Sequence, residues 1–292
     1  MSTQDGHIVV GVDGSAPSIE AIRWAAAQAA LRQRDLHLVH AHSWPAAVVP
    51  FGGSAFGWSE ATLREQAKAT VAEAVAAARA AAAGITVTGH TMYGPPAQVL
   101  IDLSGKAALV VVGDRGHGGF ASLMLGSVAS ALVAHAECPV VVVRGPAGGE
   151  DIVVGVDGSS PADTALGYAI EEADRRGVGL LVVHSWEPPA QPWRGGAVPL
   201  QHDTAELTAA HTRLVDDWVR PWREKFPGVA VEIRLTGQRP AAALIAASAG
   251  AALVVVGSRG RGGFAGLLLG SVSQQLIHHA ASPVVVTRVP EV

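Results

Sequence analysis

Two tandem α/β domains, each a doubly wound five-stranded parallel sheet, are what this sequence predicts, and three observations carry the prediction. Short apolar runs alternate with stretches of helical character, the pattern of β-α-β units whose strands are buried on both faces. The first and fourth of these runs close on glycine-containing turns, as strands feeding helices do. The whole pattern then occurs a second time: Ile8-Val-Val-Gly-Val-Asp-Gly-Ser15 returns as Ile152-Val-Val-Gly-Val-Asp-Gly-Ser159, and residues 107–144 match residues 251–288 at 26 of 38 positions. The offset is 144 residues, the length of a domain and too long for a solenoid repeat. Domains are therefore expected at 1–146 and 147–292, joined at Gly145-Pro146-Ala147-Gly148-Gly149.

In chain order, the run from Ile8 to Val12 forms the first strand, and Pro17 opens a helix with Ile19, Ile22 and Ala26 on one face. The second strand runs from Leu36 to Ala41 and closes on His42-Ser43-Trp44-Pro45. The Gly/Pro-rich loop from Pro45 to Trp58 is long enough to suggest a role beyond connection. The alanine-rich stretch from Ser59 to Ala83 has high helix propensity and stops at Gly84. The third strand begins at Ile85; its counterpart alternates, with Val229, Val231, Ile233 and Leu235 apolar, as an edge strand with one solvated face does. A helix from Pro95-Pro96 leads to a fourth strand, a glycine-rich loop, a helix from Ser127 and a fifth strand from Val140 to Val143. Parallel strands joined in this way take right-handed crossovers. Their ligands bind beyond the C-terminal strand ends, where strand order reverses.

The glycine-rich loop concentrates the chemistry. Val110-Val111-Val112-Gly113-Asp114-Arg115-Gly116 runs on to Gly126-Ser127-Val128, and Val254-Val255-Val256-Gly257-Ser258-Arg259-Gly260 to Gly270-Ser271-Val272. Strand, glycine loop and helix N-terminus in succession suit an anion: glycines admit close backbone approach, and first-turn amides are unpaired. Ser127 and Ser271 are placed to cap the helix or to bond a phosphate oxygen, and Arg115 and Arg259 to neutralise phosphate or to be solvated at the surface. Asp13 and Asp157, just past the first strand of each half, join this site if the first and fourth strands are neighbours. The halves differ where Asp114 replaces Ser258 and His117 replaces Arg261. If those side chains face the ligand, the first site holds a triphosphate more weakly than the second.

Composition narrows the class. Hydrophobic residues make up 49% of the chain and charged residues 16%, which excludes a disordered chain. A net charge of −4 gives no electrostatic footing for nucleic acid or an anionic membrane surface. No apolar run approaches the roughly 20 residues of a membrane helix. One cysteine, Cys138, precludes an internal disulfide, and the first residues lack a secretory pattern, so a cytoplasmic protein is expected. The segment from Gly116 to Ala121 fits a loose dinucleotide fingerprint, but it follows the fourth strand and lacks the acidic partner. Gly105-Lys106-Ala107 is no Walker A sequence. His40 and His42 alternate on a strand; His42 takes His184 as its counterpart, and no acidic or cysteine cluster joins them, so packing histidines are expected. Trp44 and Trp186 take the same place after the second strand, to cover a ligand or to pack under the loop. No nucleophile–base order emerges, and no catalytic residue is assigned.

Gly-x-x-Gly-x9-Gly-Ser falls on Gly113, Gly116, Gly126, Ser127 and again on Gly257, Gly260, Gly270, Ser271. With the Gly-Val-Asp-Gly-Ser end of the first strand and the Cys-Pro-Val-Val-Val or Ser-Pro-Val-Val-Val final strand, it resembles the ATP-binding motif of the universal stress proteins. The likeness covers essentially the whole chain, twice. It implies a Rossmann-like, adenine nucleotide alpha-hydrolase-like fold with one ATP per domain. It implies that the glycines, the serines, the arginines, Val128 and Val272 surround the triphosphate. Gly11-Val12-Asp13 and Gly155-Val156-Asp157 would lie near the ribose and phosphates, Asp13 and Asp157 directly or through Mg²⁺. The backbone at Ala41 or Val183 would meet the adenine. For Asp13 a simple turn bond before the helix is the alternative.

The expected function is a nucleotide-dependent regulatory or stress-response module. The alternatives are a slow ATPase or nucleotide hydrolase at the same sites, and a scaffold that binds no nucleotide. The fifth strands are apolar on both faces yet expected at sheet edges, which need pairing. Pairing of these edges between the two domains, and a homodimer of chains, are expected, as the resemblance also implies.

Overall fold

A computed structural model describes residues 6–42, 60–116, 125–145, 149–186, 190–193, 196–199, 204–261 and 269–289 of the chain, which divides into two compact units, Met1–Arg144 and Gly145–Val292. The first unit runs β1 (His7–Gly11), α1 (Ala16–Arg32), β2 (Leu36–His42), α2 (Glu60–Ala81), β3 (Val87–Tyr93), α3 (Pro96–Ser104), β4 (Ala107–Gly113), α4 (Ser127–His135), β5 (Val140–Val143). All its pairings are parallel, in the order β5-β4-β1-β2-β3. The second unit runs β6 (Ile152–Gly155), α5 (Ser160–Arg176), β7 (Leu180–Ser185), β8 (Ala190–Trp193), β9 (Gly196–Pro199), α6 (Thr204–Lys225), β10 (Val231–Thr236), α7 (Pro240–Ser248), β11 (Leu253–Gly257), α8 (Ser271–His279), β12 (Val284–Thr287). Its parallel order, β12-β11-β6-β7-β10, repeats the first.

Burial explains the apolar strands. Ile8, Val9 and Val10 of β1 have no exposed surface, and each such side chain contributes about 1.5–3 kcal/mol relative to an exposed one. The helices start where the sequence says they must. Gly14 (φ 84°) and Gly158 (φ 77°) make a left-handed turn that a residue with a Cβ adopts only with strain. Ser15 and Ser159 then cap α1 and α5, accepting from the amides of Ser18 and Ala162 at 3.4 Å. Gly177 ends α5 in the left-handed region, and Gln33 takes the equivalent place in α1 at φ 51°.

The edge strand β10 alternates half-buried and exposed residues, as its sequence predicts. Two features differ from the sequence reading. β3 begins at Val87 and not at Ile85, because the ladder to β2 starts only where the Leu36 amide donates to the Thr86 carbonyl at 2.8 Å, after the turn at Gly84. An antiparallel ribbon, β8 with β9, adds to the second unit beyond its five parallel strands. The Gly/Pro-rich stretch from Pro45 to Trp58 lies outside the described residues.

Candidate functional site

β1 pairs with β4, and β6 with β11. The two repeated sequence blocks therefore meet at one end of each sheet, the C-terminal ends of parallel strands. In the second unit a cavity of about 480 Å³ opens there, and all ten residues predicted for that half line it: Gly155, Val156, Asp157, Val183, Gly257, Arg259, Gly260, Gly270, Ser271 and Val272. Ligand pockets commonly measure roughly 300–1,000 Å³. In the first unit Gly11 ends β1 and Val12 and Asp13 follow it, Ala41 lies on β2, Gly113 ends β4 and Arg115 and Gly116 follow it, and Gly126, Ser127 and Val128 open α4. His117 and the central loop residues of both halves, 117–124 and 262–268, lie outside the described residues.

The aspartates do two jobs. Asp13 Oδ1 accepts from the Ser15 amide at 2.9 Å and the Ser15 hydroxyl at 2.6 Å, and Asp157 Oδ1 holds Ser159 in the same way at 3.0 and 2.6 Å. This is the turn bond. The second oxygen of Asp157 accepts from the Arg261 amide at 2.8 Å, tying the β6 turn to the glycine loop. Asp157 is thus both a turn former and a cavity residue.

The glycines of the repeated motif separate by what surrounds them. A Cβ on Gly113 would stand 2.7 Å from the backbone of Pro17, and one on Gly257 2.7 Å from the carbonyl oxygen of Pro161. Those two glycines let a strand end pack against a helix start. A Cβ on Gly116 or Gly260 would collide with the second carboxylate oxygen of Asp13 or Asp157. Gly126 and Gly270 are different. Their φ values of −71° and −77° suit any residue, and a Cβ would meet its nearest atoms only at 3.5 and 3.4 Å. Nothing in their own backbone geometry requires glycine.

Gly126 and Gly270 are the N-caps of α4 and α8, and among the described residues no side chain caps either helix. Ser127 and Ser271 therefore occupy the first helical position, which sets aside the capping role considered for them. Ser271 lies in the cavity wall at an uncapped helix N-terminus, where unpaired amides favour an anion. The replacement of Ser258 by Asp114 has a local consequence. Asp114 is buried, with its carboxylate 3.5 Å from the Arg115 Nε. Arg144 lies near it; burial holds that guanidinium below its ordinary value, and Asp114 opposes the shift.

One correspondence in the sequence reading needs correction. His40 Nδ1 bonds the Val12 carbonyl at 2.8 Å, and His184 Nδ1 the Val156 carbonyl at 2.9 Å. His40, not His42, is the counterpart of His184, and Trp186 answers to His42. The repeated His-Ser-Trp string is displaced by two residues from the hydrogen-bond register, in which Gly11 faces Val39 and Gly155 faces Val183. Val183 therefore answers to Val39, and Ala41 to Ser185, a cavity residue absent from the predicted set. Both histidines are strand-end packing residues. Trp186 stacks on His211 with ring centroids 4.4 Å apart, whereas Trp44 lies outside the described residues. Leu244 and Arg261 also line the cavity. No sequence signal separates the first from a core residue of α7, whereas the unlike pair His117 and Arg261 signals the second.

Among the described residues no helix is long and apolar enough to cross a membrane. The Universal stress protein family profile matches residues 6–144 and 150–288. A universal stress protein of Mycolicibacterium smegmatis is 37% identical over 300 residues, covering 98% of each chain. One of Mycobacterium tuberculosis (strain H37Rv) is 38% identical over 299 residues, covering 96% of each. A crystal structure of a universal stress protein from Archaeoglobus fulgidus shares the fold, with a TM-score of 0.70 at 20% identity over 99% of this chain and 98% of that one. With two copies of the profile and relatives alike over nearly their full length, the chain belongs to the universal stress protein family.

Proposed function

We propose that the chain binds ATP, with Mg²⁺, at one site in each unit and acts in the cytoplasm as a nucleotide-dependent regulatory module of the stress response. The observation that carries this reading is the wall of the second-unit cavity. It holds two glycine-loop backbones, Arg259 and an uncapped helix N-terminus around Gly270, a glycine that its own fold does not require. Such a wall suits a phosphate chain, since close backbone approach and unpaired amides act together. Val156, Val183 and Leu244 supply apolar surface in the same cavity for a base.

Mg²⁺ fits the donor set sparingly. It commonly takes one or two carboxylates together with substrate phosphates and retains waters, and Asp157 is the cavity's one carboxylate among the described residues. That carboxylate already holds Ser159 and the Arg261 amide. Its engagement in positioning the loop supports binding over hydrolysis. A homodimer belongs to the same reading, and light scattering should return about twice the chain mass of 29.8 kDa.

The test is to denature freshly purified protein, identify any released nucleotide by chromatography and count it per chain. ATP approaching two per chain supports two tight sites without rapid turnover. ADP alone moves the assignment to a hydrolase. No nucleotide, together with no uptake of added Mg·ATP, refutes the reading.

A further inference from the structure

Beside its cavity the second unit carries an aromatic group for which the first unit has no counterpart. Helices α2 and α6 occupy equivalent positions in the repeat, and His211, Trp218 and Trp222 of α6 stand where α2 has Ala67, Ala74 and Ala78. The Arg261 guanidinium lies over the Trp218 ring, 5.8 Å from its centroid, and the His184 ring meets the same indole edge-on at 5.5 Å. A Cβ on Gly158 would collide with both Trp218 and the Arg261 Nη2. The left-handed turn after β6 therefore seats the pair.

Resting on the nucleotide reading above, we propose that Arg261 is a phosphate-binding residue that makes the second site selective for a polyphosphate, exchanging the face of Trp218 for the terminal phosphates of the ligand. Its position gives it access. Arg261 lines the same cavity as Gly270 and Ser271, and its amide is fixed there by Asp157. Its charge is available. Among the described residues no carboxylate forms an ion pair with it, whereas Arg115 of the first unit is 3.5 Å from Asp114. The exchange is favourable, because the solvent-exposed Arg261 guanidinium is held only weakly over the half-buried Trp218 indole, whereas one bonded to phosphate by paired, charge-assisted bonds is held strongly.

The selectivity follows from reach. A monophosphate is held by the glycine loop and the helix N-terminus and has no further phosphate to offer Arg261. A triphosphate does. The first unit has His117 and Ala74 in the equivalent places, so the same gain is missing there. Trp218 loses its cation as the ligand binds, which makes its fluorescence a local reporter.

The experiment titrates the full chain with ATP, AMP and inorganic tripolyphosphate by calorimetry, as wild type, Arg261→Gln and Arg261→Lys. Tryptophan fluorescence is followed in wild type and Trp218→Phe. Arg261→Gln should weaken ATP and tripolyphosphate at one of the two sites by roughly tenfold and change AMP by less than about twofold, with Arg261→Lys recovering most of the loss. The ATP-induced fluorescence change should largely vanish in Trp218→Phe. Equal losses for ATP and AMP, no loss in Arg261→Gln, or an unaltered signal in Trp218→Phe would overturn the proposal. A wild-type chain that binds tripolyphosphate through Arg261 but neither nucleotide would support this role and refute the nucleotide reading. Binding of none of the three would overturn both.

Discussion

Asp157 joins the two repeated blocks of the second unit, its Oδ2 accepting the Arg261 amide at 2.8 Å while its Oδ1 holds the Ser159 hydroxyl at 2.6 Å. Both oxygens act as acceptors at once, and an asparagine has only one carbonyl oxygen to offer. Asp157→Asn should therefore release either the turn or the loop. Second-site nucleotide affinity is expected to fall roughly tenfold, since these bonds are charge-assisted. Because the tether needs no metal, the loss should persist when Mg²⁺ is removed with a chelator. Calorimetry with and without the chelator checks this; a loss seen only with Mg²⁺ present would assign Asp157 to the metal instead.

The motif glycines should separate by phenotype. Gly257→Ala places a methyl 2.7 Å from the Pro161 carbonyl oxygen, a backbone atom that cannot step aside, and should cost about 1–3 kcal/mol of stability. Gly270→Ala meets nothing closer than 3.4 Å and should change stability by no more than about 1 kcal/mol. Gly270 lines the second-unit cavity, so an added methyl there should abolish second-site binding, halving the nucleotide bound per chain, in a chain that remains folded. Urea unfolding paired with nucleotide titration reads both quantities. Loss of stability in Gly270→Ala as large as in Gly257→Ala would refute the distinction.

Asp114 holds Arg115 in the first unit, and Ser258 leaves Arg259 in the cavity wall of the second. Asp114→Ser should free Arg115 and strengthen first-site binding of ATP by a few-fold. It should also lower stability, by no more than about 1 kcal/mol for a cation only half buried, since Arg144 loses a neighbouring negative charge. Affinity and urea midpoint should move in opposite directions. A variant that loses stability without any gain in affinity would show that Arg115 does not meet the ligand.

Much of this was legible in the sequence because strong local signals coincided. The runs Ile8 to Val10 and Val110 to Val112 could only be buried strands, and Gly14-Ser15 followed by Pro17 could only open a helix. The slip at the second strand has a physical cause: identical His-Ser-Trp strings suggest one alignment, while the Nδ1 bonds of His40 and His184 to the preceding strand fix another. Ser185 was hidden by that slip. Leu244 and Trp218 were illegible for a different reason. Their roles depend on which helix face meets the strand end, and an apolar stripe reads the same whether it covers a core or a cavity.

The last prediction concerns pH. His7 and His37 stack in the first unit with ring centroids 3.9 Å apart, and His90 tilts against His37 at 5.8 Å. Burial is the main cause that holds both imidazoles below the ordinary value of 6.5; His90 pushes both the same way, His7 adds to the effect on His37, and Asp35 opposes it. His211 of the second unit is lowered too, by burial and then by His184. The unfolded chain protonates these groups near pH 6.5, before the folded chain does. It therefore binds more protons in the interval below 6.5, and stability must fall as pH falls through that interval. Their contribution is complete above pH 6.5 and lost progressively until the folded histidines protonate themselves. Urea midpoints at about pH 7.5 and about pH 5.5 measure the loss, and His37→Gln isolates the stacked pair, because it removes one lowered imidazole and leaves His7 facing only His90. The variant should show a shallower pH dependence than wild type. Equal slopes would mean that the acid sensitivity arises elsewhere, in groups that titrate alike with or without the stack.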